Sequence, residues 1–151
     1  MRIRLALPQE AKALSDLCFR SKAHWGYDDT FMAQSRNSLI VGAGQIKAGD
    51  VWVAEVEGVV AGMVALAAMP DPALVDLDKL FVEPSRHGAG VGRALMAFAI
   101  EEARRRGLKK MVILADRNAA PFYERMGAVY LRDKPSDAIP GNVLPFFEIK
   151  L

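Results

Sequence analysis

Three glycines at alternate positions stand between an apolar run and an amphipathic stretch, just past the middle of this 151-residue chain. They are Gly88, Gly90 and Gly92, and the apolar run before them ends near Val82. Successive main-chain N–H groups in such a turn can point inward and form a concave site for an anion. A helix beginning at Val91 would add its own unpaired N–H groups and partial positive charge. The spacing indicates a phosphate-binding turn, with a plain strand-to-helix turn as the alternative.

Two common phosphate-binding motifs do not fit this turn. A P-loop requires Gly-Lys-Ser/Thr at its end, whereas Gly92 is followed by Arg93 and Ala94. A dinucleotide-binding fold has its glycines after the first strand of the domain, whereas here they come after half of the chain. Both motifs are therefore excluded.

The flanking sequence predicts the elements that position this turn. Apolar residues at helical spacing predict four helices, over about residues 9–23, 29–38, 91–106 and 119–126. Apolar runs predict seven strands, over about residues 3–7, 51–56, 59–69, 75–82, 111–114, 128–132 and 144–151. Gly62 within the third strand indicates a bulge. The mixture of strands and helices without a linker predicts one α/β domain over residues 1–151.

Composition narrows the class of protein. The formal net charge is +2, which gives little reason to expect a nucleic acid as partner. The sequence shows neither a signal-peptide pattern nor a long apolar run, so we expect no membrane association and a cytoplasmic location. The single cysteine, Cys18, falls on the apolar face of the first helix and is expected to be a buried, inert thiol.

Two segments of the chain resemble a known family. Leu80-Phe81-Val82-Glu83-Pro84, followed by Gly88-Ala89-Gly90-Val91-Gly92-Arg93-Ala94-Leu95, resembles motif A of the GNAT N-acetyltransferases. Residues 115–128, which contain Asn118 and Tyr123, are similar to motif B of that family. The order of elements matches over essentially the whole chain. The resemblance implies a single-domain GNAT-like fold, with a central twisted sheet that is mixed and mostly antiparallel, about seven strands and about four flanking helices.

The resemblance also implies acetyl-CoA as co-substrate, with no metal. Main-chain amides of the glycine turn would hold the pyrophosphate of coenzyme A. His87 stands where the family usually has Arg or Gln, so its side chain is either a cofactor contact or a solvated loop histidine. Asn118 resembles a cofactor-contacting Asn, but it precedes Tyr123 by five positions rather than seven, and a helix N-cap is an equally good interpretation. The implied cofactor-binding residues are Phe81, Val82, His87, Gly88, Gly90, Val91, Gly92, Arg93 and Asn118.

Acetyl transfer by direct attack of an amine, through a tetrahedral intermediate, requires a neutral nucleophile, oxyanion stabilisation and a proton for the departing thiolate. We assign the proton to Tyr123, whose counterpart in the family has this role. A phenol with a pKa of ~10 lies only about 1.5 units above a thiol at ~8.5. A core tyrosine is the alternative. For the base, Asp78 is the first choice because it lies just before the proposed acetyl site. Asp76 and Glu83 are the other candidates, and an exposed carboxylate without function is the simpler interpretation.

Aromatic and polar residues gather in the short connection after the first helix. Among them, His24, Trp25 and Tyr27 are predicted to bind the acceptor, with the Ile139-Pro140-Gly141 loop on the other side. The alternative is that the aromatic residues cover the end of the core. We expect an acetyl-CoA-dependent N-acetyltransferase acting on a primary amine of a small molecule. The competing hypothesis is a non-catalytic acetyl-CoA sensor or interaction module. Family members are often dimers, which leaves a homodimer open.

Overall fold

The computed structural model describes all 151 residues. Its α-helices are α1 (Ala11–Ala23), α2 (Asp29–Ser35), α3 (Ala43–Lys47), α4 (Val91–Arg105) and α5 (Ala120–Arg125). Its strands are β1 (Arg2–Leu5), β2 (Val51–Val56), β3 (Val59–Ala68), β4 (Leu74–Val82), β5 (Lys110–Leu114), β6 (Val129–Pro135) and β7 (Val143–Lys150). The fold class predicted from the sequence is thereby confirmed. No helix has the length and apolar character that crossing a membrane requires.

The seven strands form one sheet in the order β1-β2-β3-β4-β5-β7-β6. All neighbouring pairs are antiparallel except β4 and β5, which run parallel. Two apolar cores cover its faces. Helices α1, α2 and α3 pack on one face through residues such as Leu14, Met32 and Ile46. Helices α4 and α5 pack on the other face through residues such as Leu95 and Tyr123. Because successive side chains of a strand point to opposite faces of the sheet, each strand contributes residues to both cores.

The sheet opens between β4 and β5. Their pairing covers only three residue pairs, from Leu74 opposite Lys110 to Asp76 opposite Val112. Beyond Asp76, β4 continues to Val82 with β3 as its sole neighbour, while β5 continues beside β7. The main chain of β4 therefore has a free edge that faces the opening.

A bulge in β4 changes which side chains face α1 and α2. Ala65 pairs with Lys79 and Leu66 pairs with Leu77, so Asp78 is the extra residue. A one-residue shift moves all later side chains to the opposite face of a sheet. Leu77 consequently belongs to the core beneath α4, whereas Phe81 packs on the core beneath α1. Sequence alternation alone did not predict this change of face.

Smaller details confirm or correct the sequence predictions. A bulge does occur beside Gly62, since Ala54 pairs with Gly62 and Glu55 with Val60. Residues 43–47, for which no helix or strand was predicted, form the short helix α3, and helix α2 ends at Ser35 before a 3₁₀ turn rather than at about residue 38. Cys18 is fully buried, and burial raises the pKa of its thiol to about 12, as expected for an inert thiol.

Candidate active site

The glycine turn presents a group of free main-chain donors. Gly88 and Gly90 have φ values of +80° and +84°, a left-handed conformation that glycine adopts without steric cost. No backbone or side-chain acceptor in the protein bonds the N–H groups of Gly88, Gly90, Val91, Gly92 or Arg93. The N–H groups in the first turn of α4 and in the glycine turn before it are therefore unpaired, an arrangement suited to binding an anion.

This turn is drawn close to the end of β4. A Cβ atom added at Gly62 on β3 would lie 2.9 Å from the carbonyl oxygen of Phe81 and 3.0 Å from Cδ1 of Leu95. The missing side chain allows α4 to pack tightly against the sheet. In addition, Nε2 of His87 donates to the carbonyl oxygen of Val82 at 3.1 Å, which ties the start of the turn to the end of β4.

A cavity of about 840 Å³ occupies the opening between β4 and β5. All nine residues that the family resemblance implied for the cofactor line it, as do Tyr123 and Asp78. So do Ile139 and Asn142 from the connection between β6 and β7. The glycine turn, Asp78 and Tyr123 therefore share one cavity, although Tyr123 follows Arg93 by 30 positions in sequence.

Tyr123 has a hydroxyl that is free to act. The residue is buried on α5, where its ring packs edge-on against Phe122. Its hydroxyl makes no hydrogen bond within the protein, yet no buried side-chain polar atom lacks a partner, so the hydroxyl reaches the cavity. Burial, and then the negative charges of Asp116 and Asp76, raise the pKa of Tyr123 above its ordinary value. The phenol therefore keeps its proton at neutral pH.

The three candidate bases differ in what their carboxylates contact. Oδ2 of Asp78 accepts from Nζ of Lys79 at 2.9 Å and from Nε2 of Gln45 at 3.3 Å. Glu83 is held by Arg20 at 2.7 Å and does not line the cavity, so it is no longer a candidate. Asp76 lines the cavity without a hydrogen-bond partner or ion pair.

The surroundings of Asp76 raise the pKa of its carboxyl group toward neutrality. Burial, and then the charge of Asp78, raise the pKa of Asp76 to about 6, and Asp137 acts in the same direction. Lys79 and Lys134 act in the opposite direction. A carboxyl group that titrates near neutrality is suited to accept a proton.

Of the three residues predicted to bind the acceptor, one lines the cavity. Trp25 lines the cavity. His24 does not, and its ring meets that of His87 edge-on at 5.0 Å. Tyr27 does not either, because its hydroxyl donates to the carboxylate of Asp116 at 2.8 Å. Both side chains are directed toward other protein groups by contacts that no local pattern reveals.

Asn118 lines the cavity but is not a helix N-cap. Asp116 caps the 3₁₀ turn that precedes α5, and its Oδ1 accepts from the main-chain N–H of Asn118 at 2.8 Å, whereas the N-cap of α5 itself is Ala119. Sequence reasoning also missed several charged residues that line the cavity. Lys79 is only 8% exposed, and its burial depends on the bulge. The other missed residues are Arg86, Asp116, Arg125 and Asp137.

A family model described as an acetyltransferase (GNAT) domain matches residues 47–127, more than half of the chain. The chain belongs to the GNAT acetyltransferase family. The matched range runs from α3 to the end of α5, so it includes both the glycine turn and Tyr123.

Two curated proteins are similar to parts of this GNAT chain. A glucosamine 6-phosphate N-acetyltransferase of Trypanosoma brucei brucei is 35% identical over 51 residues, which are 34% of this chain and 35% of that protein. An uncharacterized N-acetyltransferase of Methanocaldococcus jannaschii is 32% identical over 84 residues, which are 50% of this chain and 37% of that protein. The chain thus spans little more than a third of the length of these relatives.

Solved structures match the GNAT fold over nearly the whole chain. A GCN5-related N-acetyltransferase from Rhodopseudomonas palustris has a TM-score of 0.78 at 21% identity, covering 99% of this chain and 95% of that one. The PaiA N-acetyltransferase from Thermoplasma acidophilum, in complex with coenzyme A, has a TM-score of 0.77 at 14% identity, covering 99% and 98%. At such identities the likeness concerns the fold alone.

Proposed function

We propose that this GNAT protein transfers the acetyl group of acetyl-CoA to a primary amine of a small molecule. One observation carries the proposal: free amide donors, a free phenol and a free carboxylate share one cavity. These are the donors of the glycine turn, Tyr123 and Asp76. The chemical steps each require one of these groups.

Coenzyme A suits the cavity at its glycine end. The unpaired N–H groups before and within the first turn of α4 would hold the pyrophosphate. Arg86, Arg93 and Arg125 line the same cavity, and none of them has a carboxylate partner. Unpaired guanidinium groups are well suited to phosphate oxygens. When bound, acetyl-CoA supplies an activated acyl group with a thiolate as the leaving group.

Asp76 is the better placed proton acceptor. An amine arrives mostly as an ammonium ion at neutral pH and must lose a proton before it attacks. The carboxylate of Asp76 is open to the cavity, whereas that of Asp78 is engaged by Lys79 and Gln45. Asp78, the first choice from the sequence, remains the alternative, and we propose that it raises the basicity of Asp76 through its charge.

Tyr123 and the free edge of β4 complete the reaction. As the amine nitrogen bonds to the carbonyl carbon, negative charge develops on the carbonyl oxygen, and main-chain N–H groups near Phe81 and Val82 would stabilise it. The carbon–sulfur bond then breaks, and the Tyr123 hydroxyl gives its proton to the thiolate. The proton that the nitrogen loses on becoming an amide returns to the tyrosine through solvent, so the phenol is restored.

The test compares two tyrosine variants in an assay of thiol release over a panel of primary amines. Tyr123→Phe is expected to lower turnover tenfold or more while the dissociation constant of coenzyme A barely changes. Tyr130→Phe is the matched control, because Tyr130 is an exposed tyrosine outside the cavity whose hydroxyl bonds Asp133. Unchanged turnover in Tyr123→Phe would remove this residue from its role. Binding of coenzyme A without thiol release for any amine would favour the sensor hypothesis.

A further inference from the structure

The C-terminal end of α1 is attached to both sides of the opening in the sheet. On the β4 side, the guanidinium of Arg20 makes two hydrogen bonds to Glu83, of 3.0 and 2.7 Å. His24, at the next turn, meets the ring of His87 at the start of the glycine turn. These contacts hold the end of α1 next to the end of β4.

On the β5 side, four residues form a continuous hydrogen-bonded group that we call the clasp: Lys22, Tyr27, Asp116 and Asn118. Nζ of Lys22 lies 3.0 Å from Oδ2 of Asp116. The hydroxyl of Tyr27 donates to the same carboxylate at 2.8 Å and accepts from Nδ2 of Asn118 at 2.9 Å. The ring of Tyr27 stacks on Phe31 with 3.9 Å between the ring centroids, which fixes the direction of the hydroxyl.

Two members of the clasp, Lys22 and Asp116, are largely shielded from water, whereas Asn118 is exposed. The side chains of Lys22 and Asp116 are only 17% and 14% exposed. Burial alone would raise the pKa of Asp116. The charge of Lys22, the main-chain N–H of Asn118 and the hydroxyl of Tyr27 together outweigh burial, so the pKa lies below its ordinary value and the carboxylate stays ionised. Losing one partner of such a group leaves the others buried and unpaired, which is costly.

The position of the clasp suggests what it does. Lys22, Asp116 and Asn118 line the cavity, and the strands that they connect, β4 through α1 and β5 through its following turn, are those that separate after Asp76. A ligand in the opening between these strands would therefore lie against the clasp. Trp25, between Lys22 and Tyr27 in sequence, lines the same cavity.

We propose that the clasp retains the cofactor: coenzyme A and its acetylated form leave the cavity only when the bonds of Lys22 and Tyr27 to Asp116 open. These are positioning residues, which act on the cofactor through the end of α1 rather than in the chemistry. The proposal rests on the proposed function only as far as coenzyme A is the ligand of the cavity.

The test measures dissociation of coenzyme A alone by stopped-flow displacement, with tryptophan fluorescence as the signal. Tyr27→Phe and Lys22→Met are expected to speed dissociation by roughly tenfold to a hundredfold, the range for losing a hydrogen bond to a charged group. Two controls remove the same kinds of bond elsewhere. Tyr130→Phe removes a Tyr–Asp hydrogen bond on β6, and Lys12→Met removes the Lys12–Asp16 pair on α1 itself. Both controls should release coenzyme A at the wild-type rate.

The possible results separate this proposal from the proposed function. Faster release in both clasp variants, with both controls at the wild-type rate, supports the clasp even if no amine is acetylated. Release at the wild-type rate in both variants overturns the clasp, even if the wild-type protein acetylates amines. Absence of coenzyme A binding to the wild-type protein overturns it as well. Because the readout is a dissociation rate, a merely structural role of Tyr27 would lower the unfolding midpoint and leave the rate unchanged.

Discussion

Replacing Asp76 with Asn is expected to lower activity strongly, without abolishing it, and at the same time to stabilise the protein. Both effects follow from the same environment. The carboxyl group of Asp76 lines the cavity without a partner, and burial together with the charge of Asp78 raises its pKa from 3.8 to about 6. A group held in this way favours proton acceptance at the expense of folding stability.

The size of each effect can be worked out from that pKa. With a pKa of about 6, about nine tenths of Asp76 is ionised at pH 7 and about one tenth at pH 5. If Asp76 accepts the proton, kcat/KM falls about tenfold per pH unit below pH 6. Because the folded-state pKa exceeds the unfolded value, the free energy of unfolding falls as the pH rises from about 4 to 6. For a fully buried carboxyl group the decrease in the free energy of unfolding would be about 3 kcal/mol. Because Asp76 is accessible from the cavity, we expect a decrease of roughly 1–1.5 kcal/mol.

Two measurements check this reasoning, with Asp78→Asn as the matched control. Asp76→Asn should lose the acid limb of the kcat/KM profile and should unfold at higher urea concentration than wild type at pH 8, but not at pH 4. Asp78→Asn should instead destabilise the protein, since it leaves the buried Lys79 without its carboxylate partner. It should also move the acid limb to lower pH, because the charge that raises the pKa of Asp76 is gone. Full turnover in Asp76→Asn, with the acid limb lost in Asp78→Asn, would refute the assignment and restore Asp78 as the base.

Two further predictions concern the packing and the phosphate end of the cavity. Gly62→Ala should lower the free energy of unfolding by about 1–3 kcal/mol, because its Cβ would meet the Phe81 carbonyl oxygen at 2.9 Å. The control Gly44→Ala adds a Cβ to open space in a helix and should be neutral or slightly stabilising. Equal urea midpoints for the two variants would contradict the packing argument. Arg125→Gln should weaken coenzyme A binding about threefold at low salt and less at high salt. The control Arg104→Gln loses an ion pair with Glu101 on α4 and should leave coenzyme A binding unchanged. Calorimetry at two salt concentrations measures both effects, and a loss of affinity that does not depend on salt would rule out a phosphate contact of Arg125.

Much of the fold could be predicted because its patterns are local. Apolar alternation, helical spacing and glycine punctuation located the seven strands and the main helices to within a few residues. The glycine turn was recognisable for the same reason, since Gly88, Gly90 and Gly92 lie in one short segment whose backbone alone makes the site. The helix α3 was missed because a five-residue helix between glycines gives little periodicity.

The rest of the site depends on contacts between distant residues. Lys22 and Asp116 are 94 positions apart, and Tyr27 and Asp116 are 89 apart, so no pattern in the sequence joins them. The choice between Asp76 and Asp78 depended on a bulge, which inserts one residue without a glycine or proline to mark it. The sequence shows only that Asp76 and Asp78 lie on one strand. The structure distinguishes them, because Asp78 is bonded to Lys79 and Gln45 whereas Asp76 has no partner.

The short pairing between β4 and β5 has a mechanical consequence. The seven strands amount to two smaller sheets, one of four strands and one of three, which share a seam of three residue pairs. Because only three residue pairs join them, we expect the two halves to rotate relative to each other more readily than strands that are paired along their whole length. A molecule that fills the gap between them replaces the missing strand contacts, so that occupancy and rigidity rise together. We therefore expect one bound molecule both to fill the cavity and to join the two parts of the sheet.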